Sequence, residues 1–379
     1  MTLDIRFDIG PNGPGDWFRA PLHLIEAWDA ADVPDALAAL DRARAEGHWL
    51  AGYCSYELGY ALESCLTRLM PNNRKVPLIR FGVYDAPQMQ ELANGPGQFG
   101  PLQPHWDQSQ YRAAFDTAHA YIRAGDIYQV NLTFPLSCTV TGTSQALYTG
   151  LMDQQSVGYG VLIEQDGAPD LLCRSPELFF RLGRDGQIET LPMKGTQPRG
   201  DTPQQDQDNI AFLQSDEKNQ AENLMIVDLL RNDLSRVSEL GSVKVPDLFT
   251  VQSFETVHQM VSRVTAQLMP DLGLGDVLRA IYPCGSITGA PKIRAMEIID
   301  ELEPQPRDAY CGTVGWVAPD GRATFNVAIR TLMVEGDGDN RTATLNVGGG
   351  VVYDSQAAGE YEEALWKTRF AQKATQTFD

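Results

Sequence analysis

A mixed α+β fold, rich in strands and flanked by helices, is what this sequence predicts. Three observations carry that expectation. Two strand-like runs are joined by a Gly/Asp turn between Ser175 and Met193, a capped amphipathic helix feeds an alternating strand between Asp107 and Phe134, and a late pair of strands after Ala323 is followed by a helix. A chain of 379 residues buries a large core, and its length suggests about two domains, although β-rich enzymes of this size often run as one.

The formal net charge of -20 disfavours nucleic acid and anionic membranes as partners, so an acidic substrate would have to be drawn by local cations or a metal. Six cysteines, at 54, 65, 138, 173, 284 and 311, include no CxxC pair and suit a reducing compartment. The N-terminus has no apolar targeting core, and no stretch reaches the length of a membrane span. A cytoplasmic location is expected.

In chain order, an Ala/Leu/Arg helix is expected from about Asp35 to Glu46, then strand-like runs from His48 to Tyr53 and from Ser55 to Tyr60. Asp85 to Pro104, rich in Gly, Pro and Gln, reads as a connecting loop. Asp107 caps a helix whose Tyr111, Phe115, Ala118 and Ile122 recur at helical spacing, and Gly125 stops it. Asp126 to Phe134 then alternates as a strand. Thr202-Pro203 opens helix that continues, with a break, to about Ser235. The Ala221 to Asp233 stretch is apolar around nearly its full circumference, which predicts a helix buried on most sides. Its Glu222 therefore needs a partner, either a cation such as Arg231 or a divalent metal, since hard cations prefer carboxylate oxygens. Val243 to Val245 and Phe254 to Val264 read as strands; His258 among apolar neighbours is either a hydrogen-bonded structural residue or a catalyst.

Cys284 to Lys292 is a small-residue loop entering a helix with Pro291 at its first position, a start whose backbone N–H groups suit an anion. It lacks the P-loop spacing. Ala323 to Leu332 and Thr342 to Val347 read as strands, the second followed by Gly348, Gly349 and Gly350, where the backbone is free to approach a ligand closely. Ser355 caps a final helix that places Glu360, Glu363 and Lys367 on one face.

The hairpin before Lys194 links to chemistry. With Arg184 and Asp185 at the turn, Glu177 faces Pro192 and Ser175 faces Lys194, so Glu177 and Lys194 form a diagonal pair about 7 Å apart on one face. One bulge residue would separate them. Lys194 is then either a solvated loop side chain or a nucleophile whose amine is kept neutral by desolvation or nearby positive charge, and spacing alone leaves both open.

Together these segments resemble the chorismate-utilising enzymes, of the aminodeoxychorismate synthase component I type. The blocks are GDIYQVNL from Gly125, SPE from Ser175, PMKGT from Pro192, ENLMIVDLLRND from Glu222, GSITGAPKIRAMEIID from Gly285, YCGTVG from Tyr310, IRT from Ile329, and Gly348 to Glu363. They cover about Ser109 to Lys373; the first hundred residues match weakly, chiefly through GYCSYELG from Gly52.

The resemblance implies an α+β fold of two large, mainly antiparallel sheets packed around an active-site cleft, with helices outside. It implies residues 1–100 as an N-terminal sub-domain packed on a chorismate-binding catalytic domain of residues 101–379. It also implies Mg2+ on Glu222 and Glu363 with Glu360 nearby. Arg330, Lys367, Thr288, Gly289, Gly348, Gly349 and Gly350 would hold the substrate's anionic groups, and Tyr310 and His258 match substrate-contacting positions. Lys194 would be the nucleophile and Glu177 the general acid. The expected reaction converts chorismate and ammonia to 4-amino-4-deoxychorismate, for 4-aminobenzoate and folate synthesis, with ammonia from a separate glutaminase subunit. Anthranilate synthase component I is the rival, with alanine where this chain has Lys194. An inactive chorismate-binding subunit is the alternative of another class.

Overall fold

The computed structural model describes residues 2–372 apart from Asn94, Gln155, Glu255, Thr256 and Asp339. Two residues of the expected Phe254 to Val264 strand, and Lys373 at the end of the resemblance, thus lie outside the described residues.

Two antiparallel sheets, of eleven and ten strands, carry the fold. The first is built on the 13-residue strand Gln129–Thr141, which pairs along its length with Arg341–Val351. Outward from that pair run Thr331–Glu335, Asp170–Ser175, Tyr159–Gln165, Leu3–Ile9 and Pro14–Phe18. The second sheet runs from Met193–Pro198 through Val257–Gln267, Gln187–Thr190, Leu178–Leu182, Ala323–Asn326, Thr313–Val317, Trp49–Cys54 and Ile79–Tyr84 to His23–Ala27. The first hundred residues supply strands to both sheets.

Alternating apolar side chains pack between the sheets, with Leu3, Ile5, Val161, Ile163 and Leu171 of the first against Ala51, Tyr53, Val314 and Trp316 of the second. The opposite faces, with Phe134 of the first and Phe81, Phe180 and Phe325 of the second, form a further core with the helices. Phe180 and Phe325 stack with centroids 4.8 Å apart. Each such side chain contributes about 1.5–3 kcal/mol by leaving water. The helix Gln108–Ala124 packs outside, buried through Tyr111, Phe115, Ala118 and Ile122 as its spacing predicts. Asp107 and Gln110 form a reciprocal capping box, and Gly125, at φ 84°, ends the helix in the left-handed region.

The structure departs from the sequence expectations in the following respects, among others. The hairpin pairs Arg181 with Glu189 and Leu182 with Ile188. Its loop is the three residues 184–186, closed by Gly186 at φ 78°, not a two-residue turn, so the register is shifted by one. Ser55 to Tyr60 is no strand: the chain turns into the helix Leu58–Leu62, and Tyr56 and Tyr60 pack edge to face at the i,i+4 spacing hidden in that run. Ala323 to Leu332 is two strands, Ala323–Asn326 in the second sheet and Thr331–Glu335 in the first, because residues 327–330 cross between them. The three glycines lie inside the Arg341–Val351 strand, opposite Thr133, Leu132 and Asn131. Finally, the helix Glu217–Ser235 buries one face through Asn223, Ile226, Val227, Leu230, Asp233 and Leu234, and leaves Leu224 exposed.

Candidate active site

Two chain crossings between the sheets run side by side and create the site. One carries Glu177 between Asp170–Ser175 and Leu178–Leu182; the other carries Arg330 between Ala323–Asn326 and Thr331–Glu335. They are laced together: Val327 N–H donates to Glu177 O at 3.0 Å, Ser175 Oγ–H to Val327 O at 2.6 Å, and Arg174 N–H to Arg330 O at 3.0 Å. Arg330 takes φ 51°, an uncommon value for a side-chain-bearing residue that this sharp crossing imposes. Beside the crossings opens a cavity of about 210 Å³, lined among others by Pro176, Val257, Gln259 and Arg330.

Lys194 reaches the site by a local distortion. The Met193–Pro198 strand pairs Met193 with Val261 but Thr196 with Gln259, one residue out of step, and Gly195 sits at φ 82° in the bulge. A bulge re-aims its neighbouring side chain. Glu177 and Lys194 are therefore not the diagonal hairpin pair expected, but they still converge, and each responds to the other's charge. Part of Lys194 is open to the cleft, yet its amine is crowded by protein. Desolvation pushes its pKa below the usual lysine range against the opposing pull of Glu222, Glu177 and Glu363. Burial pushes the Glu177 carboxyl above the usual range, opposed by a hydrogen bond from Ser286 and by the Lys194 and Arg330 charges. A carboxyl tending to keep its proton thus stands beside an amine tending to lose one, the pairing that acid-assisted nucleophilic chemistry uses.

The glycine strand forms the floor. A Cβ on Gly350 would lie 3.3 Å from Lys194 Nζ, and one on Gly349 would lie 3.3 Å from Glu360 Oε2, 3.5 Å from Lys367 Nζ and 3.9 Å from Glu363 Oε1. The absence of side chains is what admits those groups. Lys367 Nζ donates to Gly348 O at 2.8 Å and pairs with Glu363 at 2.9 Å. Burial raises the Glu360 carboxyl, with Ser355 opposing and Glu363 adding to it; Glu363 is held low because Lys367, Lys194 and Lys218 outweigh its burial. Glu222 faces Lys218 at 3.9 Å, while Arg231, its expected partner, pairs with Asp228 instead. The donor chemistry of the three glutamates suits a hard divalent cation. Two of their carboxylates approach the same bare strand at Gly349, a cradle that a Cβ would partly fill. Lysines stand among them, and among the described residues no three acidic, His or Cys side chains are grouped tightly enough to share one ion.

The other expected residues fall around this centre. Gly289 pairs with Val130, and a Cβ there would sit 2.2 Å from Gln129 O. The Thr288 hydroxyl is spent on Cys284 O at 3.0 Å. Tyr310 is buried beside Cys311, in the turn after Arg307. His258 is fully buried with both ring nitrogens engaged, Nε2 with Asp206 and Nδ1 with Ser253, each at 2.8 Å. Those contacts match the structural alternative and tie it to the Arg199–Asp206 pair.

Two residues escaped the sequence reading. Ser286 donates to Glu177 Oε1 at 2.7 Å. Gln129 is fully buried, has no hydrogen-bond partner for either side-chain atom among the described residues, and lies with its amide 3.1 Å from the Gly350 Cβ position, alongside Lys194. The expected alternation of the Asp126 to Phe134 strand was the available signal for Gln129: a polar side chain on an inward position of a buried strand needs a partner. A serine in a small-residue loop carries no comparable signal.

Known proteins resemble this chain in sequence and in fold. Aminodeoxychorismate synthase component 1 of Escherichia coli is 44% identical over 266 residues, 70% of this chain but 57% of the relative's length. The match thus spans little more than half of that relative. Anthranilate synthase component 1 of Methanothermobacter thermautotrophicus is 35% identical over 340 residues, 83% of this chain and 71% of its own length. The crystal structure of anthranilate synthase component I from Streptococcus pneumoniae superposes with a TM-score of 0.79 at 25% identity, covering 99% of this chain and 92% of the other. The family model described as chorismate binding enzyme matches residues 16–373, and the chain belongs to that family.

Proposed function

We propose that the chain is the synthase component that aminates chorismate to 4-amino-4-deoxychorismate. The observation that carries this reading is the desolvated Lys194 amine beside the buried Glu177 carboxyl. The neutral amine attacks ring carbon 2 of chorismate as Glu177 passes its proton to the departing 4-hydroxyl, which leaves as water. Ammonia then attacks carbon 4 and expels the Lys194 amine from carbon 2, with the ring double bonds shifting back. Ser286 holds Glu177 in place for the first step. Arg330 and Lys367, with the glycine-strand amides, bind the carboxylates of the substrate. Beyond Leu345 that strand has a described neighbour on one side only, which leaves outward-facing backbone donors at the floor.

Mg2+ held by Glu222 and Glu363, with Glu360 nearby, would neutralise the ring carboxylate in this acidic protein. Binding it would require Lys218 and Lys367 to give up their present carboxylate contacts. Ammonia would come from a separate glutaminase subunit, in keeping with the designation component 1 among the relatives.

The likeness to anthranilate synthases supports a second reading, in which the product is anthranilate and Lys194 is a counter-ion. Mass-spectrometric analysis after incubating the purified chain with chorismate, Mg2+ and ammonium separates the two. Expected is 4-amino-4-deoxychorismate without pyruvate; anthranilate plus pyruvate would establish the second reading.

A further inference from the structure

The GYCSYELG stretch takes no part in the chemistry above, yet it is packed against a buried arginine that touches two walls of the site. Arg307 is 1% exposed, and its guanidinium lies 4.6 Å over the Tyr56 ring. Glu303 takes it in a fork, Oε2 from Nε at 2.8 Å and Oε1 from Nη2 at 2.7 Å. The remaining donors go to main-chain carbonyls: Nη1 to Ile287 O at 2.9 Å and Nη2 to Asn131 O at 2.6 Å. Glu303 Oε1 also accepts from Thr133 N–H at 2.9 Å, and Glu57 Oε1 accepts from Arg307 N–H at 2.8 Å and Asp308 N–H at 3.3 Å.

The two carbonyls that Arg307 holds belong to the segments that present the residues missed by the sequence reading. Ile287 follows Ser286, which donates to Glu177, and Asn131 lies two residues, hence one strand repeat, after Gln129, so both side chains share a face. Asn131 N–H donates to Thr288 O at 2.8 Å, and Ala290 pairs with Gln129, which locks loop and strand together. We propose that Arg307, held by Glu303 and by Tyr56–Glu57, is a positioning residue that sets the Ser286–Glu177 hydrogen bond and the placement of Gln129 beside Lys194. The inference rests on the assignment of Glu177 as a reacting group. A lysine cannot replace the arginine here, because one ammonium has no planar fork to span Glu303 and both carbonyls at once.

The test uses Arg307→Lys, with Glu303→Gln as a gentler second variant should the first fold poorly. Hydrogen exchange on the substrate-free chain should speed up in residues 128–131 and 285–290, with other strands protected as in the parent protein. In turnover, kcat should fall by about a hundredfold, as for a catalytic group displaced by about an ångström, with the KM for chorismate nearly unchanged. The pH–kcat profile should move at the same limb as in Ser286→Ala, and the Arg307→Lys/Ser286→Ala double variant should be no slower than Arg307→Lys alone. Folded variants with unaltered exchange in those two segments, an unmoved profile and additive losses would overturn the proposal. The exchange measurement needs no turnover, and the profile is readable on whichever product the parent protein makes. Anthranilate formation would therefore reject the amination reading while leaving this inference standing.

Discussion

Ser286→Ala removes one hydroxyl and gives the sharpest test of Glu177. The Ser286 hydroxyl donates to Glu177 Oε1 at 2.7 Å, and both residues are buried. A hydrogen bond to a charged partner contributes about 1.5–3 kcal/mol, and about 1.4 kcal/mol corresponds to one pH unit. The bond favours the ionised carboxylate, so its loss strengthens proton binding. If Glu177 must be protonated and Lys194 neutral for the first step, one limb of the pH–kcat profile should move upward by about one to two pH units while the other stays. This holds whichever of the two groups titrates first. The assay is steady-state formation of the aminated product from chorismate and ammonium between about pH 5 and 10, with saturating Mg2+. An unmoved profile in a folded Ser286→Ala protein would refute Glu177 as the proton donor.

Other perturbations address the remaining parts. Lys194→Arg keeps the cation among Glu177, Glu222 and Glu363 but not the nucleophile. Product formation should fall by more than about a hundredfold, and near-parent rates would leave Lys194 a counter-ion. Gly348→Ala would drive a Cβ to 2.2 Å from Leu132 O, whereas Gly350→Ala meets the Gln129 amide at 3.1 Å and Lys194 Nζ at 3.3 Å. The first should lower Tm and the second mainly kcat, as thermal melts and kinetics of the pair would show. Glu57 is pushed up to about 8 by burial and by Asp308, and Asp308 to about 6 by burial. Both folded values exceed the unfolded ones, so their contribution to stability is full below about pH 4. It is lost as pH rises through about 6 to 8. Glu57→Gln should flatten the fall of Tm between about pH 5 and 9, and an unchanged slope would count against this pair as its source.

Much of this was legible in the sequence because local chemistry and final structure agreed. The Asp107 cap, the Gly125 stop and the four apolar positions between them follow from hydrogen-bonding and periodicity that need no tertiary context. The glutamates and lysine of the last helix were likewise legible as one face. What stayed hidden depended on neighbours distant in sequence. The run through Ile329 and Arg330 has uninterrupted strand character, and only the presence of two sheets makes it cross. Gly348 to Gly350 read as a loop because glycine disfavours strands, but pairing with residues 131–133 holds them in one. Ser286 and Gln129 matter through what they face, which spacing along the chain does not encode. The meeting of Glu177 with Lys194 was anticipated from a register the protein does not use, and it arises from the crossing and the bulge instead.

That crossing bears on how the protein should fail when warmed. Glu177 sits where the chain passes between the sheets, Lys194 belongs wholly to the second, and the Lys367 contact is to the glycine strand of the first. The second sheet's ladders carry Lys194 to the residue beside Glu177, but among the described residues no ladder joins that sheet to the glycine strand. The spacing between the reacting pair and the Lys367 contact is therefore kept by the crossings and by side-chain packing between two bodies that are each internally cross-linked by backbone bonds. Packing of that kind loosens before ladders do. Turnover should therefore decline at temperatures where circular dichroism still reports intact sheets, and recover on cooling from that range.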